Sequence, residues 1–240
     1  MISIIIPARN EEAYLGATLA YLKEHAPPTG AEIIVAEGGS VDATADVARQ
    51  WATVVQGSDC TRAALMNAGA RLARGDVLFF LHADSFPPPD FLELIRAALA
   101  DPRAVGGAFD HQFIEPVFGL WTVSSIDRIR FRLTKNYYGD QGIFVRRAVF
   151  ERIGGFPHRA ILEDLEFSRR LKRIGRTVLI PTPVRTSGRR FLNGGIARTF
   201  LTIVWLLALS TLRIDTERYA ARYRRENESR EAPCRHGATG

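Results

Sequence analysis

Apolar and polar positions along this chain alternate between two rhythms. Compact apolar runs at residues 2–6, 32–36, 53–56, 76–81, 104–109, 142–145 and 177–180 predict strands. Several of them, such as Val77-Leu78-Phe79-Phe80-Leu81, are apolar throughout, as strands buried on both faces are. Between the early runs, residues 12–25, 41–51, 61–73 and 90–99 carry apolar side chains at three- and four-residue spacing and predict helices. This β-α-β-α order argues for a mostly parallel sheet with right-handed crossovers and helices on both faces. Ligands of such sheets bind in loops that leave the carboxyl ends of the strands. Loops 7–12, 37–44, 57–62 and 82–89 therefore share one rim.

With 240 residues, 46% of them hydrophobic, the chain can bury one substantial core. We expect one α/β domain over residues 1–195, with halves of about 1–110 and 111–195, and a segment of different composition over 196–240. The net charge of +6 is unevenly spread: residues 1–120 hold 8 Lys and Arg against 15 Asp and Glu, and residues 121–240 hold 24 against 11. The basic half suits an anion, whether nucleic acid, anionic lipid or a diphosphate, since charge alone does not choose. The chain opens directly into an apolar strand with no basic leader, and Cys60 and Cys234 form no metal or disulfide pattern. Both features predict a cytoplasmic protein.

The rim loops carry the chemistry. The first reads Pro7-Ala8-Arg9-Asn10-Glu11-Glu12 and the second Glu37-Gly38-Gly39-Ser40-Val41-Asp42-Ala43-Thr44. Glycines let a backbone approach a ligand, while Ser40 and Asp42 can also simply cap the next helix. No G-x-G-x-x-G follows the first strand and no G-x-x-x-x-G-K-S/T occurs, which disfavours nicotinamide dinucleotides and P-loop hydrolysis. The fourth loop presents His82-Ala83-Asp84. Side chains two apart on an extended segment point the same way, so His82 and Asp84 could share a divalent cation whose other ligands are diphosphate oxygens; equally, Asp84 could cap the following helix.

Together these loops resemble family 2 glycosyltransferases. The resemblance rests on Pro7, Asn10 and Glu11; on Glu37, Gly38, Ser40, Asp42 and Thr44; on Arg62, Asn67 and Gly69; and on His82-Ala83-Asp84. It implies a GT-A fold with a single Rossmann-like sheet, and a nucleoside pocket lined by Pro7, Ala8, Glu11 and Glu37. Arg9, Gly38, Ser40, Arg62, Asn67 and Ala83 join the nucleotide side by the same likeness, and Asp84 is the implied ligand for Mg²⁺ or Mn²⁺. Glu37 stands where the family has Asp, and His82 where the first metal-motif Asp would be.

Further along, Gly139-Asp140-Gln141-Gly142 and Leu162-Glu163-Asp164-Leu165-Glu166 resemble the family's acceptor side, with Asp140, Gln141 and Glu163 as acceptor or diphosphate contacts. These segments, with Leu81-His82-Ala83-Asp84 and Ser187-Gly188-Arg189-Arg190, also resemble a small bacterial subgroup linked to arsenosugar biosynthesis. Asp164 is the candidate base for the acceptor hydroxyl, with Glu163 pointing elsewhere; acidic residues also favour helix starts in their own right. A single base on the face opposite the leaving group implies inversion. Arg189 and Arg190 suit phosphate oxygens, and Arg190 could carry leaving-group charge where the sequence offers no third metal ligand.

The expected partners are a nucleotide-sugar donor, with UDP as the favoured carrier, and a small or lipid-linked hydroxyl acceptor, without nucleic acid. The competing classes are a sugar nucleotidyltransferase and a non-catalytic nucleotide-sugar binder. The uncharged run at residues 199–212 would make a helix of about 21 Å, short of the roughly 30 Å hydrocarbon core. It either packs on the domain, forms a homodimer contact, or lies on the inner face of the plasma membrane beside the basic stretch 218–225, ahead of a polar tail over 226–240 expected to be disordered.

Overall fold

The computed structural model describes residues 1–57, 59, 61–212, 214, 216 and 219. Cys60, Cys234, the tail over 226–240 and, Tyr219 apart, the basic stretch 218–225 lie outside the described residues. One eight-stranded sheet organises the rest, in the order β3-β2-β1-β4-β7-β6-β8-β5. Strands β1 (Ile2–Ala8), β2 (Ala31–Glu37), β3 (Thr53–Gln56) and β4 (Val77–Phe80) are mutually parallel. β7 (Ile143–Arg146) runs antiparallel between β4 and β6 (Ala104–Phe113), β8 (Arg176–Thr186) runs parallel to β6, and β5 (Ser85–Phe86) pairs antiparallel with β8.

The all-apolar strands are buried on both faces, as their composition requires. Ile2, Ile4 and Ile6 of β1 face the cluster formed with α1 (Glu12–His25), α2 (Thr44–Arg49) and α4 (Phe91–Ala98), whereas Ile5 faces the opposite cluster with α3 (Arg62–Leu72), α6 (Arg147–Arg152) and α7 (Glu163–Ile174). Each fully buried Ile contributes roughly 1.5–3 kcal/mol relative to exposure. This is the expected α/β sandwich. Antiparallel β7 matters for function: its amino end, preceded by a 3₁₀ turn at Gly139–Gln141, meets the carboxyl end of β4 and the middle of β6.

The structure departs from the sequence pattern in several places. The second helix begins at Thr44 instead of residue 41, because Asp42 Oδ1 accepts from Thr44 N and Oγ1 and holds the preceding residues as a loop. β6 and β8 run on to Phe113 and Thr186, and two-residue β5 forms against the end of β8, pairings that depend on distant segments. A 17-residue helix, α5 (Phe118–Thr134), stands where the pattern predicts no element. Residues 128–133 alternate Arg with apolar side chains, which masks a helical period. Two further helices, α8 (Arg189–Gly194) and α9 (Ile196–Thr211), follow β8.

Candidate active site

Arg62 begins α3 one residue after Thr61, whose hydroxyl caps the helix by accepting from Ala64 N. Its guanidinium gathers three groups. Nε donates to the buried Glu163 carboxylate, Nη2 lies 3.7 Å from Asp164 Oδ2, and Nη1 lies 3.1 Å from His82 Nε2. Arginine has no acceptor, so His82 Nε2 accepts and its ring proton is assigned to Nδ1. Burial, then the Arg62 charge, hold His82 well below its usual pKa, so the ring is neutral.

Glu163 does not point away from Asp164. Leu162 enters α7 in the left-handed conformation (φ 59°, ψ 26°), and both adjacent carboxylates converge on the wide guanidinium fork. Asp164 Oδ2 also accepts from Gly139 N at 2.8 Å, and Oδ1 from Leu165 N at 2.7 Å. The capping role is therefore present, yet an ionised carboxylate has about four acceptor positions and these bonds leave some open. Position 139 requires glycine: a Cβ there would stand 2.7 Å from His82 Nε2.

Asp140 follows, half exposed, with Oδ2 3.8 Å from His111 Nε2; burial pushes its carboxyl up from the usual value. Gln141 does something else. It is buried, accepts from Tyr138 N at 2.9 Å and donates to Phe109 O at 3.3 Å, so its amide braces the turn instead of facing an acceptor.

A second centre forms around Arg189. Its Nε lies 3.0 Å from Asp84 Oδ2, its Nη2 lies 2.7 Å from each oxygen of Glu11, and its guanidinium stacks 4.2 Å above the Tyr14 ring. Burial raises Asp84, with the Arg189 charge opposing it. Arg190 is lowered to about 10, first by burial and then by the like charge of Arg62. His82 and Asp84 are not successive positions of a strand. β4 ends at Phe80, Ser85 N bonds back to His82 O at 3.3 Å, and the turn sends the two side chains to different guanidiniums. In this arrangement Arg62 takes up the His82 Nε2 lone pair, and His82 orients the Arg62 guanidinium.

The first two loops interlock. Glu37, buried, accepts from Gly39 N at 3.0 Å and Ser40 N at 2.5 Å; Ser40 Oγ accepts from Asn10 N at 3.0 Å; Thr44 Oγ1 accepts from Glu11 N at 2.7 Å. Burial alone would raise Glu37, but the hydrogen bonds from Ser40, Gln56 and Gly39 outweigh it and lower its pKa. Gly38 lies against Arg9, whose Cβ a side chain there would meet at 3.3 Å, and Pro7 and Ala8 end β1 beneath them. The Ala83 carbonyl accepts from Thr18 Oγ1 at 2.8 Å. Asn67 stands apart from this group. Its amide exchanges two 2.9 Å bonds with the Phe156 main chain, N and O alike, which clamps α3 to the segment before α7.

Sequence reasoning overlooked Tyr14, His111 and Glu115. Glu115 accepts from Ser187 Oγ at 3.0 Å and Gly188 N at 2.7 Å, fixing the loop that delivers Arg189. No local signal marks it, because its partners lie 72 and 73 residues away.

Among the described residues no three His, Cys, Asp or Glu side chains converge as a metal cage. The cluster nevertheless fits a cation shared with a diphosphate. Glu11, Asp84, Asp140, Glu163 and Asp164 face the guanidiniums of Arg62, Arg189 and Arg190 while His82 is neutral, which leaves two formal negative charges in excess. Burial raises Asp84, Asp140 and Glu163 although Arg189, His111 and Arg62 respectively oppose the rise, and a bound cation would favour their ionised forms. A diphosphate-bound Mg²⁺ or Mn²⁺ asks only one or two oxygens of the protein.

The family model described as glycosyl transferase family 2 matches residues 3–156. The chain belongs to that family. A PGL/p-HBAD biosynthesis glycosyltransferase of Mycobacterium bovis is 30% identical over 180 residues, 71% of this chain and 69% of its own. Among other curated relatives, the chain spans 24%, 57% and 47% of their lengths. The mannosyltransferase PcManGT of Pyrobaculum calidifontis, solved with GDP-Man and Mn²⁺, superposes with a TM-score of 0.68 at 17% identity, covering 95% of this chain and 70% of that one. Glucosyl-3-phosphoglycerate synthase of Mycobacterium tuberculosis, solved with Mn²⁺, UDP and glucosyl-3-phosphoglycerate, gives 0.63 at 18% identity, covering 90% and 81%. These likenesses confirm the GT-A fold as a single curled, mostly parallel sheet with helices.

Proposed function

We propose that this family 2 member is an inverting glycosyltransferase that moves a sugar from a nucleoside-diphosphate donor, with UDP as the carrier, to an acceptor hydroxyl with the help of a divalent cation. The observation that carries the reading is the cluster itself: Asp84 and Glu11 on one guanidinium, Glu163 and Asp164 on another, at the strand ends where α/β sheets bind ligands. The donor half is assigned to about 1–110, the acceptor half to about 111–195, and the segment from 196 onward is kept separate.

Pro7, Ala8, Arg9, Glu37, Gly38 and Ser40 frame the nucleoside in this reading, with Glu11 and Ala83 beside them. Asp84 would hold Mg²⁺ or Mn²⁺, which when bound supplies positive charge for the leaving diphosphate. Arg189 and Arg190 present N–H donors to the phosphate oxygens. On the acceptor side, Asp164 takes the hydroxyl proton as the oxygen bonds to the anomeric carbon; the bond from that carbon to the diphosphate oxygen breaks and its electron pair leaves with the nucleotide. Arg62 holds Asp164 and Glu163 in place for that step. A single displacement inverts the anomeric configuration.

The narrower likeness to the arsenosugar-linked subgroup belongs to the same proposal, as does a cytoplasmic site of action. The test is an incubation of the purified chain with UDP-sugars and Mn²⁺, with the products followed by NMR. UDP release with an inverted glycoside supports the reading. Pyrophosphate release would indicate a sugar nucleotidyltransferase, and donor binding without product a non-catalytic binder.

A further inference from the structure

Helix α5 leaves a second apolar stripe on the side away from the core. Leu120 and Ser124 are buried, whereas Phe118, Trp121, Ile126, Ile129 and Leu133 are between 42% and 82% exposed. At 3.6 residues per turn these five fall within one outward stripe. Beside it lies α9. Its Ile196 packs at Gly119, where a Cβ would meet it at 2.9 Å, and its Phe200 and Ile203 join Val123 around Phe113, Leu120 and Phe191. α9 buries Leu206 and Ser210 and turns Leu201, Val204 and Trp205 outward, Trp205 meeting Tyr219 edge-on at 4.6 Å. Two helices thus share an inner seam and each leaves an apolar outer stripe in water, an arrangement that marks an interaction surface.

The charges around these stripes choose the occupant. On α5 and its cap stand Arg128, Arg130, Arg132 and Lys135; Arg128 pairs with Asp110 at 2.8 Å and Arg130 with Asp127 at 2.7 Å, while Arg132 and Lys135 are exposed. Residues 189–211 contain no Asp or Glu. The stacked rings of Phe118 and Trp121, 5.9 Å apart, sit at one end of the stripe. Aromatic and aliphatic side chains on one face with basic flanks suit the headgroup region of an anionic bilayer. A second copy fits poorly, since a two-fold contact would set these basic flanks against each other. Among the described residues no helix is long and apolar enough to cross a membrane, so the contact is lateral.

We propose that the outer faces of α5 and α9 form one docking surface for an anionic lipid bilayer, and that it presents the rim to an acceptor carried by that bilayer. Both ends of α5 are tied to the site. Glu115, three residues before α5, holds Gly188 N next to Arg189, and a Cβ at Gly188 would strike Leu120 at 2.5 Å. At the other end, left-handed Lys135 turns the chain towards Gly139 and Asp140. The acceptor assignment rests on the transferase reading, whereas the docking itself does not.

Flotation of the full chain with vesicles of phosphatidylcholine, alone or mixed with phosphatidylglycerol, tests the surface. The protein should float with the mixed vesicles at low salt, leave them at high salt and ignore pure phosphatidylcholine. Phe118→Ser/Trp121→Ser should lower the bound fraction at least tenfold, and Arg132→Glu/Lys135→Glu should remove the salt-sensitive part. These positions are exposed, so the melting temperatures should match the parent. Sugar transfer to a water-soluble acceptor, read as UDP release, should be unchanged in both variants; its absence from the parent would count against the transferase reading while flotation still decides the docking. A parent that floats with neither vesicle, variants that float like the parent, or a dimer that Phe118→Ser/Trp121→Ser dissociates would each overturn the proposal.

Discussion

Arg189 Nη2 lies 2.7 Å from both carboxylate oxygens of Glu11, across 178 residues of sequence. The first rim loop and the start of α8 are therefore one electrostatic unit, completed by Asp84 at 3.0 Å from Arg189 Nε. Surface ion pairs contribute little, but this one is partly shielded and gathers two carboxylates on one fork.

Removing that fork should move the acid limb of the pH profile. Asp84 must be ionised to hold a cation, burial already raises its pKa, and Arg189 is the charge that opposes the rise. Activity should therefore fall as the pH is lowered through the raised value, and Arg189→Ala should shift this limb to higher pH as well as lowering kcat/KM about tenfold or more. An Arg189→Ala profile with an unmoved acid limb would show that Asp84 does not govern it.

Asp164→Asn separates proton transfer from support. As the base, Asp164 should cost kcat about a hundredfold or more on mutation, with donor affinity nearly unchanged. The amide can accept from Gly139 N or Leu165 N but not from both as the carboxylate does, so a loss of about 1 kcal/mol in stability accompanies it. Normal turnover with lowered stability alone would leave Asp164 as a cap.

Asn67→Ala should behave in the opposite way. Its paired bonds to Phe156 join α3 to the segment before α7, and their loss leaves main-chain groups without partners. We expect a loss of about 1–3 kcal/mol in stability with donor KM unchanged in the protein that remains folded. A raised donor KM at unaltered stability would restore Asn67 to the nucleotide site.

The sequence made the donor side far more legible than the acceptor side, for physical reasons. Buried parallel strands announce themselves as apolar runs, and helices α1 and α3, each with a face on the core, show the helical period. Pro7-Ala8-Arg9-Asn10-Glu11 and the Glu37 loop are contiguous, so their chemistry can be read locally. Helix α5 could not be, because its exposed stripe is as apolar as its buried one and arginines interrupt both. Glu115 was invisible for a different reason: its importance comes from Ser187 and Gly188, which only the pairing of β6 with β8 brings near. Glu163 does not point elsewhere than Asp164, because Arg62, distant in sequence, draws both to one point.

Without ligand, the Asp84 carboxylate should weaken the fold at neutral pH. Asp84 titrates in the folded chain above its usual 3.8, because burial outweighs the pull of Arg189. The folded state then binds more protons than the unfolded state between the usual and the raised value, so folding stability falls as the pH rises through that window, and ionised Asp84 is a standing cost at neutral pH. Asp84→Asn removes the charge at nearly constant volume. The ligand-free variant should melt at or above the parent temperature at pH 7, and the difference should shrink as the pH is lowered towards 4, while Mn²⁺ with UDP should stabilise the parent and not the variant, since only a ligand bound to the folded state shifts the equilibrium. Sites tuned for function commonly carry such a cost. Thermal melts of the two proteins across pH, with and without Mn²⁺ and UDP, read all of this: a variant less stable than the parent at every pH would mean that the Asp84–Arg189 pair is a net support of the fold, and equal stabilisation of both by Mn²⁺ and UDP would remove Asp84 from the cation site.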